Sequence, residues 1–138
     1  MRKVIIYCVL VSFLFFLAVL SLTGHFPPQV GTDNPSAKDI LDGNADADIL
    51  QLDGLVYSNV SNRDWISERE YTKGEKIGEI KKQTTNTWWF WNLYASKLPA
   101  GTAVYTANGE EYGKGDAPLN VMVKRNGEWE VYQSLREG

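Results

Sequence analysis

The chain has 138 residues, 43% hydrophobic and 22% charged, with a formal net charge of −3, a balance ordinary for a folded chain and too rich in apolar residues for a disordered one. An acidic chain lacks the basic face that nucleic-acid binding requires, so no nucleic-acid partner is expected. One cysteine (Cys8) and one histidine (His25) exclude an internal disulfide and a cysteine-based metal site.

The first element is MRKVIIYCVLVSFLFFLAVLSL. No residue from Val4 to Leu22 is charged, and nineteen residues at a helical rise of ~1.5 Å reach roughly 28 Å, close to the ~30 Å hydrocarbon core of a bilayer. Residues 1–23 are therefore read as a signal anchor that crosses the lipid bilayer through residues 4–22. Arg2 and Lys3 flank its start and the next basic residue is Lys38. That asymmetry puts the N-terminus in the cytoplasm and the C-terminal part outside, as in a single-pass cell-membrane protein. A cleaved export signal is the alternative. Such a signal has a shorter apolar core of ~7–15 residues and a small-residue exit, whereas this run leaves through Ser21-Leu22-Thr23-Gly24-His25. Cys8 lies too early in the run to receive a lipid and reads as a buried residue of the helix.

Residues 24–48 are rich in Pro, Gly, Asn and Asp and read as an acidic flexible spacer, semi-rigid at Pro27-Pro28. The exterior part carries all 17 acidic residues and 12 of the 14 basic ones, a balance of −5. Five acids (Asp33, Asp39, Asp42, Asp46, Asp48) fall in the spacer, which should stand away from an anionic membrane surface. Asp42-x-Asn44-x-Asp46 resembles the opening of a calcium loop, but Ala47 replaces the glycine of the sharp turn and Asp53 the bidentate Glu. Solvated acids are the expectation there, and no metal or cofactor is assigned.

Residues 49–138 suffice for one small domain with a modest core. Ile49 to Tyr57 reads as a first strand with a bulge at Gly54. Ser61 is placed to cap a helix over Asn62–Arg69 that turns Trp65 and Ile66 inward. Thr72–Glu75 reads as a turn, and Lys76–Gln83 as a strand bulged or twisted at Gly78. Leu98-Pro99-Ala100-Gly101 is a proline-led turn before a strand at Thr102–Thr106, which Asn108-Gly109 ends. At the C-terminus, Leu119, Val121 and Val123 alternate and meet Trp129 and Val131 across a hairpin. A three-residue loop, Arg125-Asn126-Gly127, would pair Val123 with Trp129 and Lys124 with Glu128, keeping charge off the apolar face. The expected fold class is β-rich α+β: a transmembrane helix, then a small antiparallel sheet or partly open barrel of about five strands with one short helix.

The least ordinary stretch outside the apolar run is Thr87-Trp88-Trp89-Phe90-Trp91-Asn92-Leu93-Tyr94. As a strand it would put Trp88, Phe90 and Asn92 on one face and Trp89, Trp91 and Leu93 on the other. A small domain covers one such face, unless the stretch is a loop folded over the sheet. Exposed indoles suit sugar rings, apolar peptides or the lipid headgroup zone; core packing is the competing expectation. Trp88, Trp89, Trp91 and Tyr94 are the candidate binding residues. Catalysis has little to stand on: with Cys8 in the apolar run and His25 in the spacer, the folded part has neither a Ser-His nor a Cys-His nucleophile. Its carboxylates show no pairing in sequence, and about 90 residues scarcely build a glycosidase cleft. The chain is read as no enzyme.

Lys73-Gly74-Glu75-Lys76-Ile77-Gly78-Glu79-Ile80 followed by Ala95-Ser96-Lys97-Leu98-Pro99-Ala100-Gly101-Thr102-Ala103-Val104-Tyr105 resembles a pattern of small membrane-anchored or lipoprotein domains of Gram-positive bacteria. The resemblance spans residues 50–134 and carries turn and strand signatures, so it implies a cell-surface setting and no catalytic residues. The function expected is a membrane-anchored extracytoplasmic binding or regulatory module engaging another envelope protein. The alternatives are a cell-wall glycan reader built on the Trp88–Trp91 strip and a small accessory enzyme or enzyme subunit.

Overall fold

The computed structural model describes residues 1–22 and 34–137 of a chain that divides into two compact units, 1–32 and 33–138. In the first unit, helix α1 runs Arg2–Leu22. Over Arg2–Val19 it is long and apolar enough to cross a membrane, a property that an export signal near an N-terminus shares. The part of the expected spacer from Gly24 to Asp33 lies outside the described residues.

The second unit opens with a short helix, α2 (Ala37–Gly43), where spacer was expected. Ser36 and Asp39 form a reciprocal capping box: Ser36 Oγ accepts from Asp39 N at 3.2 Å, and Asp39 Oδ2 accepts from Ser36 N at 2.9 Å. Ala37 and Leu41 are buried and Ile40 packs beside them, an i, i+3, i+4 stripe. Seven residues do not form a stable helix alone; docking on the sheet makes this one. The folded unit therefore begins well before Ile49.

Eight strands follow, not five: β1 (Ile49–Leu52), β2 (Leu55–Asn59), β3 (Lys73–Glu79), β4 (Lys82–Gln83), β5 (Tyr94–Ala95), β6 (Ala103–Ala107), β7 (Asn120–Arg125) and β8 (Glu128–Ser134). A one-turn helix, α3 (Asp64–Ser67), lies between β2 and β3. The sheet order is β3-β6-β7-β8-β2-β1-β5-β4, antiparallel except for the β4–β5 pair, which is parallel. β3 and β4 stand at opposite ends of that order, yet only Ile80 and Lys81 separate them. Ile80 N donates to Thr102 O (2.8 Å) on the side leading to β6, and Lys81 N donates to Leu93 O (2.8 Å) on the side leading to β5. The chain thus stitches the two edges together, and the sheet curls into a half-barrel.

The curl is also visible in the core. Leu50, Leu52, Tyr57, Ala95, Val104, Val121, Val123 and Tyr132 form one buried cluster with Ile80, Leu93 and Leu98. β5 and β6 are five strand spacings apart, about 24 Å on a flat sheet, so their side chains meet only because the sheet closes on itself. These residues fill the inner face. The outer face carries two smaller clusters: Ile49, Val56 and Phe90 under α2, and Val60, Ala107, Met122 and Val131 with Ile66 of α3.

Several local expectations are corrected. The run Ile49–Tyr57 is a tight hairpin, because Asp53 (φ 52°) and Gly54 (φ 81°) form a two-residue turn. Asp-Gly is among the strongest sequence signals for that turn. Ser61 does not cap a helix; its hydroxyl accepts from Val131 N (2.9 Å), and Arg63 is the residue before α3. Ile66 is buried, while Trp65 stays 37% exposed under the Arg69 guanidinium. Lys73–Glu75 belongs to β3 and is not a turn, and the expected bulge appears between Lys76 and Gly78.

The C-terminal hairpin has a two-residue loop, Asn126-Gly127, with φ of 52° and 82°. Val123 therefore faces Glu130, and Lys124 faces Trp129. The objection to that register was charge on the apolar face, and Arg125 removes it: its Nε and Nη2 donate to Glu130 at 2.8 and 3.0 Å. Trp129 turns outward, 42% exposed, and Val131 lies on the outer face with Met122.

Candidate functional site

The stretch from Thr87 to Tyr94 is a loop folded over the sheet edge, not a strand. Asn86 starts it, accepting from Trp88 N on its side-chain oxygen (3.1 Å), and Thr87–Trp89 makes a single 3-10 turn. Phe90 then plunges between α2 and the sheet, 7% exposed, with the ring of Tyr94 edge-on to it at 6.4 Å. Leu93, at φ 60°, enters the inner core and its amide donates to Gln51 O at 2.7 Å. Asn92 Oδ1 accepts from Asp53 N at 2.9 Å. The loop is thus fastened to α2, to β1 and to the Asp53-Gly54 turn.

This fastening leaves three rings outside. Trp88, Trp89 and Trp91 are 60%, 59% and 56% exposed. Indoles of ~250 Å² each at those exposures present roughly 400 Å² of largely apolar surface, within the ~300–600 Å² of the largest patch on an ordinary monomer and often functional. These three residues do not pack in the core; from this stretch Phe90 and Leu93 enter it, with Tyr94 partly buried against Phe90. Tyr94 is half-buried behind Phe90 and supports the loop without joining the exposed strip. Trp89 and Trp91 lie 6.2 Å apart, tilted by 45°, so they do not form one flat platform for a sugar ring. Asn86 and Asn92 spend their oxygens on backbone amides of the fold.

Along the chain, the charge on either side of the loop is of one sign, while the elements it packs on, α2 and the Asp53-Gly54 turn, carry Asp39, Asp42 and Asp53. From Ile80 to Gly109, thirty residues contain no acid and three lysines, Lys81, Lys82 and Lys97. Lys97 pairs with Asp46 at 2.6 Å, and that hydrogen bond, then its charge, holds the Asp46 carboxyl below the usual carboxylate value. Lys81 and Lys82 are exposed beside the loop and pair with no acid among the described residues. The sequence reading missed these two lysines, although the acid-free interval was open to view. Elsewhere, two rings have a cation over them: Lys73 Nζ lies 4.9 Å from the centroid of the Tyr105 ring, and Lys124 Nζ 5.7 Å from that of Trp129.

The acids of the supposed calcium loop go to separate partners. Asp42 pairs with Lys38, Asp46 with Lys97, and Asn44 Oδ1 accepts from Asp46 N (3.0 Å). Asp48 is a structural hub: its carboxylate accepts from Asn59 Nδ2 (2.9 Å), Arg125 Nη2 (2.7 Å) and the Tyr132 hydroxyl (2.7 Å). Burial, and then the bond to Asp48, push the Tyr132 hydroxyl far above its ordinary value. Asp53 accepts from the Tyr112 hydroxyl at 2.8 Å and from Ala117 N at 3.0 Å. Burial and that bond push Tyr112 up to about 12. Among the described residues, no group of three or more His, Cys, Asp or Glu is placed to hold a metal ion. Comparison with protein-family models, curated proteins and solved structures finds no match to this chain.

Proposed function

We propose that this chain is a membrane-anchored extracytoplasmic binding module whose contact surface is the Trp88-Trp89-Trp91 loop. The observation that carries the reading is three indoles held in water by a loop whose other apolar residues, Phe90 and Leu93, are buried. A fold that merely needed to cover its sheet edge has no use for these rings. The apolar α1 behind Arg2 and Lys3 supports the anchor and its direction. The resemblance of residues 50–134 to Gram-positive surface domains supports the setting. The half-buried carboxylates Asp48, Asp53 and Glu130 are committed to bonds that hold the fold, which favours binding over catalysis. The tilt between Trp89 and Trp91 weighs against the wall-glycan alternative.

The test is labelling of cysteine variants with a membrane-impermeant maleimide on intact cells, in a Cys8→Ser background. Trp91→Cys is compared with Ala100→Cys, an exposed position on the turn before β6. The expected result is that Ala100→Cys labels readily on intact cells while Trp91→Cys is protected, and that detergent abolishes the difference. Equal labelling on intact cells refutes the contact surface. Labelling of both only after lysis refutes the extracytoplasmic placement.

A further inference from the structure

We infer that the Trp88-Trp89-Trp91 loop seats in the headgroup zone of the bilayer that α1 crosses, an inference that rests on the loop being the contact surface and α1 the anchor. Three observations select lipid over an envelope protein or a wall glycan. The first is size. Roughly 400 Å² of indole surface is about half of the ~800 Å² per partner that a stable protein interface buries, whereas interfacial tryptophans act individually, each placing its amphipathic ring at headgroup level. The second is charge. Lys81 and Lys82, exposed on the same sheet edge, sit within the thirty residues that carry no acid, complementary to anionic headgroups.

The third is reach. Eleven residues, 23–33, separate α1 from Asn34, and whatever their conformation they span at most ~40 Å. They end at Asn34, whose Oδ1 accepts from Glu137 N at 2.9 Å. The next element is α2, on which the Trp loop is packed through Phe90. The tether thus delivers the chain to the helix that carries the loop. Acids near that point oppose an anionic surface, and four of them are engaged: Asp39 in the capping box, Asp42 by Lys38, Asp46 by Lys97 and Asp48 by Arg125.

The test uses the full chain in nanodiscs of phosphatidylglycerol and phosphatidylcholine, with Trp65→Phe and Trp129→Phe. The chain has five tryptophans and none in α1, so emission then reports Trp88, Trp89 and Trp91 alone. The expected result is blue-shifted emission, loss of most intensity when the lipids are brominated near the headgroup end of their chains, and weak acrylamide quenching. Adding Lys81→Glu and Lys82→Glu should return part of the lost intensity. Emission insensitive to bromolipid but strongly quenched by acrylamide overturns lipid docking and leaves the loop free for a protein or glycan partner. Emission insensitive to both quenchers means the rings are buried in the fold, and overturns the contact surface as well.

Discussion

Replacing Asp48 with alanine removes a carboxylate that ties together four neighbouring strands in the order β7-β8-β2-β1. Asp48 stands just before β1 and accepts from Asn59 of β2, Arg125 of β7 and Tyr132 of β8. Arg125 keeps Glu130 as a partner, so its charge is not stranded. Tyr132, by contrast, is fully buried, and its hydroxyl loses its acceptor. An unsatisfied buried donor costs ~1–3 kcal/mol, and losing a charge-assisted bond to a partly buried Arg about 1 more, so Asp48→Ala should destabilise by about 3 kcal/mol. In urea unfolding of a fragment spanning residues 33–138, followed by tryptophan emission, an m-value near 1.5 kcal/mol/M converts this to a midpoint lower by about 2 M. Tyr132→Phe removes the stranded hydroxyl, so the double variant should be less destabilised than the sum of the singles by about 1 kcal/mol. A loss below about 1 kcal/mol for Asp48→Ala, or additivity within ~0.5 kcal/mol, would show that Asp48 does not hold these four strands together.

Gly74→Ala should cost about 1–3 kcal/mol by overpacking, since its Cβ would lie 2.1 Å from Thr106 Oγ1 and 3.1 Å from Thr106 O. Adding Thr106→Ala should recover part of the loss, and a neutral Gly74→Ala in the same urea assay would contradict the close approach of β3 to β6. The fold should also have an alkaline limit set by its tyrosines. Folding raises the Tyr112 hydroxyl from 10 to about 12 and pushes Tyr57 and Tyr132 higher still, burial being the first cause in each. The contribution of all three is then fully present below about pH 10; that of Tyr112 is lost as pH rises through about 12, and those of Tyr57 and Tyr132 fall over the same range and beyond it. Urea midpoints that stay flat across this range would refute it.

The β-rich class, the bulge before Gly78, the turn at Leu98–Gly101 and the strand before Asn108-Gly109 were all readable, because each rests on local turn chemistry and period-two alternation. The apolar α1 was readable from composition alone, and the unusual density of tryptophan from Thr87 to Tyr94 marked the candidate site. Local signals were also overlooked: Asp53-Gly54 announces a two-residue hairpin, and the thirty acid-free residues around the Trp loop announce its charge.

What only tertiary structure decided is how polar groups are matched across the sheet. Glu130 opposite Val123 looks wrong in an isolated hairpin and becomes right once Arg125 of β7 donates to it and is itself held by Asp48, the residue before β1. Asp48 read as a spacer acid because its partners lie 11 to 84 residues away along the chain. α2 read as spacer because seven residues form a helix only when a sheet receives their apolar stripe. The same holds for the tryptophans. Sequence supplied the rings, but whether they meet water or core depended on Phe90 and Leu93 taking the two buried places that the sheet edge offers. Sequence by itself thus determined the local elements and the chemistry available to the site. The tertiary fold determined which of those groups are buried, which are paired and which are left exposed for contact, because burial and pairing depend on residues far apart along the chain that meet only in the folded sheet.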